Sequence, residues 1–201
     1  MKKYFAYTLS TNLLLRVSIW LILTVVFSIQ VYAQNPSQQK NNAKYVTCIK
    51  AQDALIQAVR FNVRARVAKL LAQGENPNAC DAADTPILVL ALHEEAFDVA
   101  SLLVRQPNID FEQTNRHQET ALMMAALKGQ LTIVKEIVQR GAEIDRTGWS
   151  PLHYAASNGH LDVVRYLVEQ GANVDAVSPN HTTPLMMAAR GGYIHVVKLL
   201  I

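Results

Sequence analysis

The chain has 201 residues, half of them apolar and 17% charged, with only two cysteines, which is enough for one domain of ordinary size. Its formal charge of +3 comes from Lys2, Lys3 and Arg16, because residues 1–33 hold no Asp or Glu and the rest carries 16 basic and 16 acidic side chains. A neutral remainder lacks the basic stripe that phosphate binding needs, so nucleic acid is not expected as a partner.

At the amino terminus Lys2 and Lys3 precede Arg16, and residues 17–29 form an apolar run broken only by Ser18, Thr24 and Ser28. Val31 and Ala33 are small residues at the −3 and −1 positions of a cleavage site, so residues 1–33 read as a secretory signal peptide. The alternative is a retained anchor, since residues 13–31 could span a bilayer if Arg16 snorkelled to the interface. No Cys follows the site, so a lipoprotein anchor is not expected. Either way the rest of the chain lies outside the cytoplasm, in a bacterium the periplasm or the exterior. Residues 34–46 are mostly polar and read as a disordered leader.

Beyond residue 47 the pattern is of short helix-period blocks with Gly, Asn and Asp punctuation and no long strand pattern, hence all-α with hairpin-like loops. Asp53 opens the first block, and Val67 to Gly74 forms its second helix; Gln57, Arg60, Arg64 and Arg66 suit a terminal cap. A second block starts at Thr85-Pro86-Ile87, with His93-Glu94-Glu95-Ala96 where a turn glycine is expected and Pro107 where Gly-Ala is expected. The third block is Thr120-Ala121-Leu122-Met123-Met124-Ala125-Ala126, followed by Gly129 and by Gly141-Ala142. In the fourth, Ser150-Pro151 supplies cap and first-turn proline, Asn158-Gly159 ends one helix, residues 161–169 form the next, and Gly171 closes it. The fifth begins at Thr183-Pro184-Leu185-Met186-Met187-Ala188-Ala189, 33 residues after Ser150, and stops at Ile201. Units with an apolar face on both helices need a neighbour of the same shape.

Thr-Pro-Leu-His, Ala-Ala, Gly-His-Leu and Gly-Ala recurring near a 33-residue period resemble the ankyrin repeat family. The run Arg146-Thr147-Gly148-Trp149-Ser150-Pro151-Leu152-His153-Tyr154-Ala155-Ala156 is especially similar to short bacterial members that carry signal peptides. The resemblance implies an ankyrin solenoid over residues 47–201, in repeats of about 47–79, 80–112, 115–145, 146–177 and an incomplete 178–201, with β-hairpin fingers between helix pairs. Ser150 follows Thr120 by only 30 residues, so a deletion falls in the fourth finger, stunted at residues 146–149. At the last helix, Val196, Val197, Leu200 and Ile201 are expected to leave an apolar face uncovered.

The resemblance also assigns His153 and His160 to hydrogen bonds that tie neighbouring repeats. No histidine pair has zinc-ligand spacing, His93-Glu94-Glu95 lacks the second His of a metalloprotease motif, and no phosphate loop or nucleophile elbow occurs. No cofactor, metal, small-molecule substrate or catalysis is expected. Met123, Met124, Met186 and Met187 read as core filler. Cys48 and Cys80 each lie five residues before a predicted helix start. Equivalent points of stacked repeats lie roughly 8–10 Å apart and a disulfide needs Cα atoms within about 7 Å, but nothing fixes the path before Cys48, so a disulfide and two free thiols both stay open.

Carried over from the family, the candidate protein-binding positions are Asp84, Leu92 and His93; Glu119, Leu127 and Lys128; Trp149, Ser157 and Asn158; Thr182 and Arg190. Trp149 is either an exposed interface anchor or a plate packed over Tyr154. The expected function is an exported scaffold that grips a protein partner. The alternatives are a membrane-anchored form assembling through its last helix and a host-targeted effector.

Overall fold

The computed structural model describes residues 48–201; the expected signal peptide or anchor at residues 1–33 and the expected leader at 34–46 lie outside them. The described residues form ten helices. They are α1 (Asp53–Arg60), α2 (Arg64–Ala72), α3 (Ile87–His93), α4 (Phe97–Val104) and α5 (Ala121–Leu127). Then come α6 (Leu131–Gln139), α7 (Pro151–Ser157), α8 (Leu161–Glu169), α9 (Pro184–Arg190) and α10 (Ile194–Leu200).

Helices of seven to nine residues are too short to be stable alone, so packing must hold them. Each odd-numbered helix packs on the even-numbered one that follows it. The odd helices also pack on one another in succession from α1 to α9, and the even ones from α2 to α10. The result is five helix pairs in a linear pile. Its core is a continuous strip that includes Leu55, Leu92, Leu103, Leu122, Ile137, Leu152 and Leu167, all fully buried. At each pair an alanine sits where two helices must approach closely: Ala58, Ala91, Ala125, Ala155 and Ala188 are all buried, and each carbonyl accepts the N–H that opens the following helix.

The helix starts are set locally. Thr120 Oγ1 accepts from Met123 N and Thr183 Oγ1 from Met186 N, each at 3.3 Å, satisfying a donor of the first turn. Pro151 and Pro184 occupy first-turn positions where no N–H is needed. These ends correct the expected register of the first two repeats. Pro86, not Thr85, stands at the cap of α3, and Gln52, not Asp53, at the cap of α1. Thr85 instead matches Glu119 and Thr182, since their carbonyls accept from Asp81, Asn115 and Ser178 in the same finger bond. The familiar Thr-Pro pair therefore sits one position early, and Leu92 turns inward and is fully buried.

The fingers are held by turns. Among the described residues the only β pairings are isolated bridges, Lys50 with Cys80 and Cys80 with Pro86, so the expected hairpins are reduced to tight loops. A polar residue at the base of three fingers fixes the loop: Asp81 Oδ1 accepts from Ala83 N and Thr85 N, Asn115 Oδ1 from His117 N and Glu119 N, and Ser178 Oγ from Thr182 N. The loop at 146–149 shows no such bond among the described residues, as befits a finger three residues shorter than that of the fifth repeat.

The turn glycines follow a steric rule. A Cβ on Gly129 would lie 2.5 Å from the His160 ring, and one on Gly159 would lie 2.3 Å from the Tyr193 ring. Each ring belongs to the next repeat. The corresponding left-handed positions in the first two repeats are Asn62 and Glu95, where the next repeat offers Ala96 and Gln130 and no ring. Pro107 likewise shifts the left-handed residue at the end of α4 to Asn108. Arg140 of the next helix pair supplies the missing cap there, donating to the carbonyls of Val104 and Gln106, the latter at 2.9 Å.

Cys48 and Cys80 are joined in a disulfide with Cα atoms 5.8 Å apart. The stacking distance did not forbid it because residues 49–51 run alongside Cys80 itself: Ala51 N donates to Cys80 O at 2.8 Å and Cys80 N to Ile49 O at 2.9 Å. At the other end Met186 is exposed, against its expected place as core filler beside the buried Met123 and Met124 of the third repeat, and so are Ile194 and Ile201, but Val196 is buried in the core strip. This corrects its expected exposure, since α8 already covers that face of α10.

Candidate protein-binding face

The front edge of the pile is built from three rows of equivalent residues. The residue before each cap gives Ala51, Thr85, Glu119, Trp149 and Thr182, all half-buried. The last residue of each odd helix gives Arg60, His93, Leu127, Ser157 and Arg190, and the residue after it gives Phe61, Glu94, Lys128, Asn158 and Gly191. In these two rows Leu127, Ser157 and Lys128 are half-buried and the others exposed. Nearly all the expected contact residues fall in these rows. Two do not: Leu92 is core, and Asp84 lies one position earlier on the finger. The residues that register places there instead are Glu94 and Thr85; the Thr-Pro pair imitates a cap and hides them, while the Asp81–Thr85 spacing, matching Asn115–Glu119 and Ser178–Thr182, carries the signal.

Several of these side chains are also used within the array. Lys128 Nζ pairs with Glu95 at 2.8 Å, and the ammonium beside Glu95 holds its carboxyl below the usual range. Asn158 Nδ2 donates to Leu127 O at 3.0 Å, and Ser157 Oγ donates to Tyr154 O at 2.8 Å. Thr182 contributes its carbonyl, which lies 3.0 Å from His153 Nε2. His93 and Arg190 form no ion pair among the described residues.

His153 is fully buried. Its Nδ1 accepts from Ser150 N at 3.2 Å, so the proton sits on Nε2 and is donated to Thr182 of the next repeat. Burial lowers its pKa, outweighing the hydrogen bond to Thr182. His160 Nε2 lies 2.9 Å from Leu127 O of the preceding repeat. Both rings therefore join repeats, which is a structural task. Among the described residues no group of three His, Cys, Asp or Glu side chains is placed to hold a metal.

Trp149 is half-buried, its ring edge-on to His153 at 5.3 Å and to Tyr154 at 6.4 Å between centroids. It packs over Tyr154 while keeping part of its surface open. Tyr154 OH donates to Glu119 Oε1 at 3.1 Å, across the boundary between the third and fourth repeats. Burial first, and then the charge of Glu119, raise the phenol's pKa well above its usual 10.0.

A stack of helix pairs that displays a varied row of side chains along one edge is a helical-repeat binding scaffold. Residues 55–147 and 144–201 match the family model for ankyrin repeats, described as three copies, and the chain belongs to the ankyrin repeat family. Over 79 residues it is 35% identical to Alpha-latrocrustotoxin-Lt1a of Latrodectus tredecimguttatus, a match covering 39% of this chain and 6% of that protein. The chain thus spans a small fraction of that relative's length. Ankyrin repeats generally mediate protein–protein interaction, and the family is generally non-enzymatic.

Proposed function

We propose that this chain is an exported scaffold that grips a protein partner along the front edge of its array, through His93, Glu119, Leu127, Lys128, Trp149, Ser157, Asn158, Thr182 and Arg190. One observation carries the reading. At a buried position of the odd helices every repeat has the same residue, Ala58, Ala91, Ala125, Ala155 and Ala188, whereas two residues further on stand Arg60, His93, Leu127, Ser157 and Arg190. Identical packing needs identical residues, and a surface shaped to an irregular partner does not. The edge mixes an aromatic, an aliphatic, an amide, hydroxyls and both charges, as protein interfaces do, rather than converging on a reactive group.

Export is supported by the apolar amino-terminal segment and by the disulfide, a bond that persists in oxidising compartments. Affinity purification from an envelope fraction tests the reading. A partner retained by the wild type and lost with Trp149→Ala combined with Arg190→Ala supports it, while an unchanged set of bound proteins places the interface elsewhere. Mass spectrometry of the purified protein tests export separately: a first residue of Gln34 fits a cleaved signal peptide, and an intact Met1 fits the retained anchor.

A further inference from the structure

The third finger, α7 and the shortened fourth finger converge on one small constellation. Tyr154 lies at its centre, with its hydroxyl on Glu119 Oε1 at 3.1 Å and its ring 6.4 Å from Trp149. The second carboxylate oxygen, Glu119 Oε2, accepts from Asn115 Nδ2 at 2.7 Å. Both donors are neutral, so they orient the carboxylate without cancelling its charge. Of the five ion pairs among the described residues none includes Glu119. The nearby cations are otherwise engaged: Lys128 binds Glu95, and Arg146 binds Glu112 at 3.3 Å. Arg116 stands exposed on the third finger.

Each Glu119 oxygen thus carries one donor and keeps a lone pair. Tyr154 sets its ring next to the carboxylate and Trp149 packs edge-on to that ring; the faces of both rings attract cations. His153, against which Trp149 packs, is kept neutral by burial and adds no opposing charge. The stunted finger matters because it carries Trp149 at the place where the last full finger carries Thr182.

We infer that Glu119, Tyr154 and Trp149 form a seat for a guanidinium group, an arginine side chain presented by the protein partner. Arginine suits the site better than lysine, because a planar fork can meet both carboxylate oxygens and lie against a ring, whereas an ammonium is a compact, strongly hydrated point charge. The seat rests on the reading of the front edge as a protein-binding face, and it specifies what that face selects.

The test uses the purified full chain and two small probes, N-acetyl-arginine amide and N-acetyl-citrulline amide, which share shape but differ in charge. The indole N–H signal of Trp149 is followed by NMR and distinguished from that of Trp20 by its loss in Trp149→Phe. Arginine amide is expected to shift the Trp149 signal with an affinity at least about threefold above citrulline amide. Glu119→Gln, which keeps an oxygen for the Tyr154 hydroxyl, should bring arginine down to the citrulline value while the rest of the spectrum is unchanged. Equal responses to the two probes, no response to arginine, or a response that survives Glu119→Gln would each overturn the seat. If the purification experiment still shows partners lost with Trp149→Ala and Arg190→Ala, the seat falls alone and the binding face stands.

Discussion

His153 shows how one side chain joins sequence, packing and pH response. Its Nδ1 acceptor and Nε2 donor are both used in the neutral form, and protonation would place a charge in a site closed to water. Its folded pKa lies below the ordinary 6.5. The folded chain therefore binds fewer protons than the unfolded chain in the window below 6.5. The associated stability is complete above 6.5 and is lost as pH falls toward the folded pKa. Urea midpoints should hold between about pH 8 and 7 and fall toward about pH 5, and His153→Gln, less stable throughout, should flatten that fall; an equal slope in both proteins would remove His153 as its cause. Gly159 makes a steric prediction at the same scale. A methyl there meets the Tyr193 ring at 2.3 Å in a backbone conformation of φ +71°. Gly159→Ala should therefore cost on the order of 2–3 kcal/mol in chemical denaturation. Adding Tyr193→Ala should recover part of that loss, and strict additivity of the two changes would deny the contact.

The helices and fingers were legible in the sequence where a local signal and the packing agreed. Thr120, Ser150 and Thr183 mark helix starts as caps, and Gly129 and Gly159 mark turns because the next repeat lays a ring over them. The first two repeats were harder to read. Thr85-Pro86 imitates the cap and first-turn proline of Thr183-Pro184, yet the finger closed by Asp81 and Thr85 pulls the pair one position outward through hydrogen bonds within that loop, so two local signals compete there. The position of Leu92 followed the same slip. The Cys48–Cys80 pairing was open because it depends on residues 49–51 lying along Cys80, a path no periodicity encodes. That disulfide closes a span of 32 residues, for which chain entropy gives roughly 3–4 kcal/mol. Reduction should lower stability by up to about that amount, with the gain in amide exchange concentrated in α1 and α2. Uniform loosening of all ten helices would contradict so local a clasp.

At the scale of the whole described array, each helix pair touches only its neighbours, so stability is close to a sum of pair and interface terms. Leu152 is fully buried in the fourth pair, between the third and fifth. Leu152→Ala should cost about 2–5 kcal/mol and reduce amide protection on both sides, more in the short fifth repeat than in the first. The same linear build leaves a front edge free to vary, and on this the functional account stands. The most direct measurement places a photo-crosslinking residue at single positions and captures the bound partner. Positions 93, 157 and 190 on the front edge should yield crosslinks to a common protein, and positions 139 and 169, at the ends of α6 and α8, should yield none. Crosslinks only from 139 and 169, or from none of the five, would contradict the account.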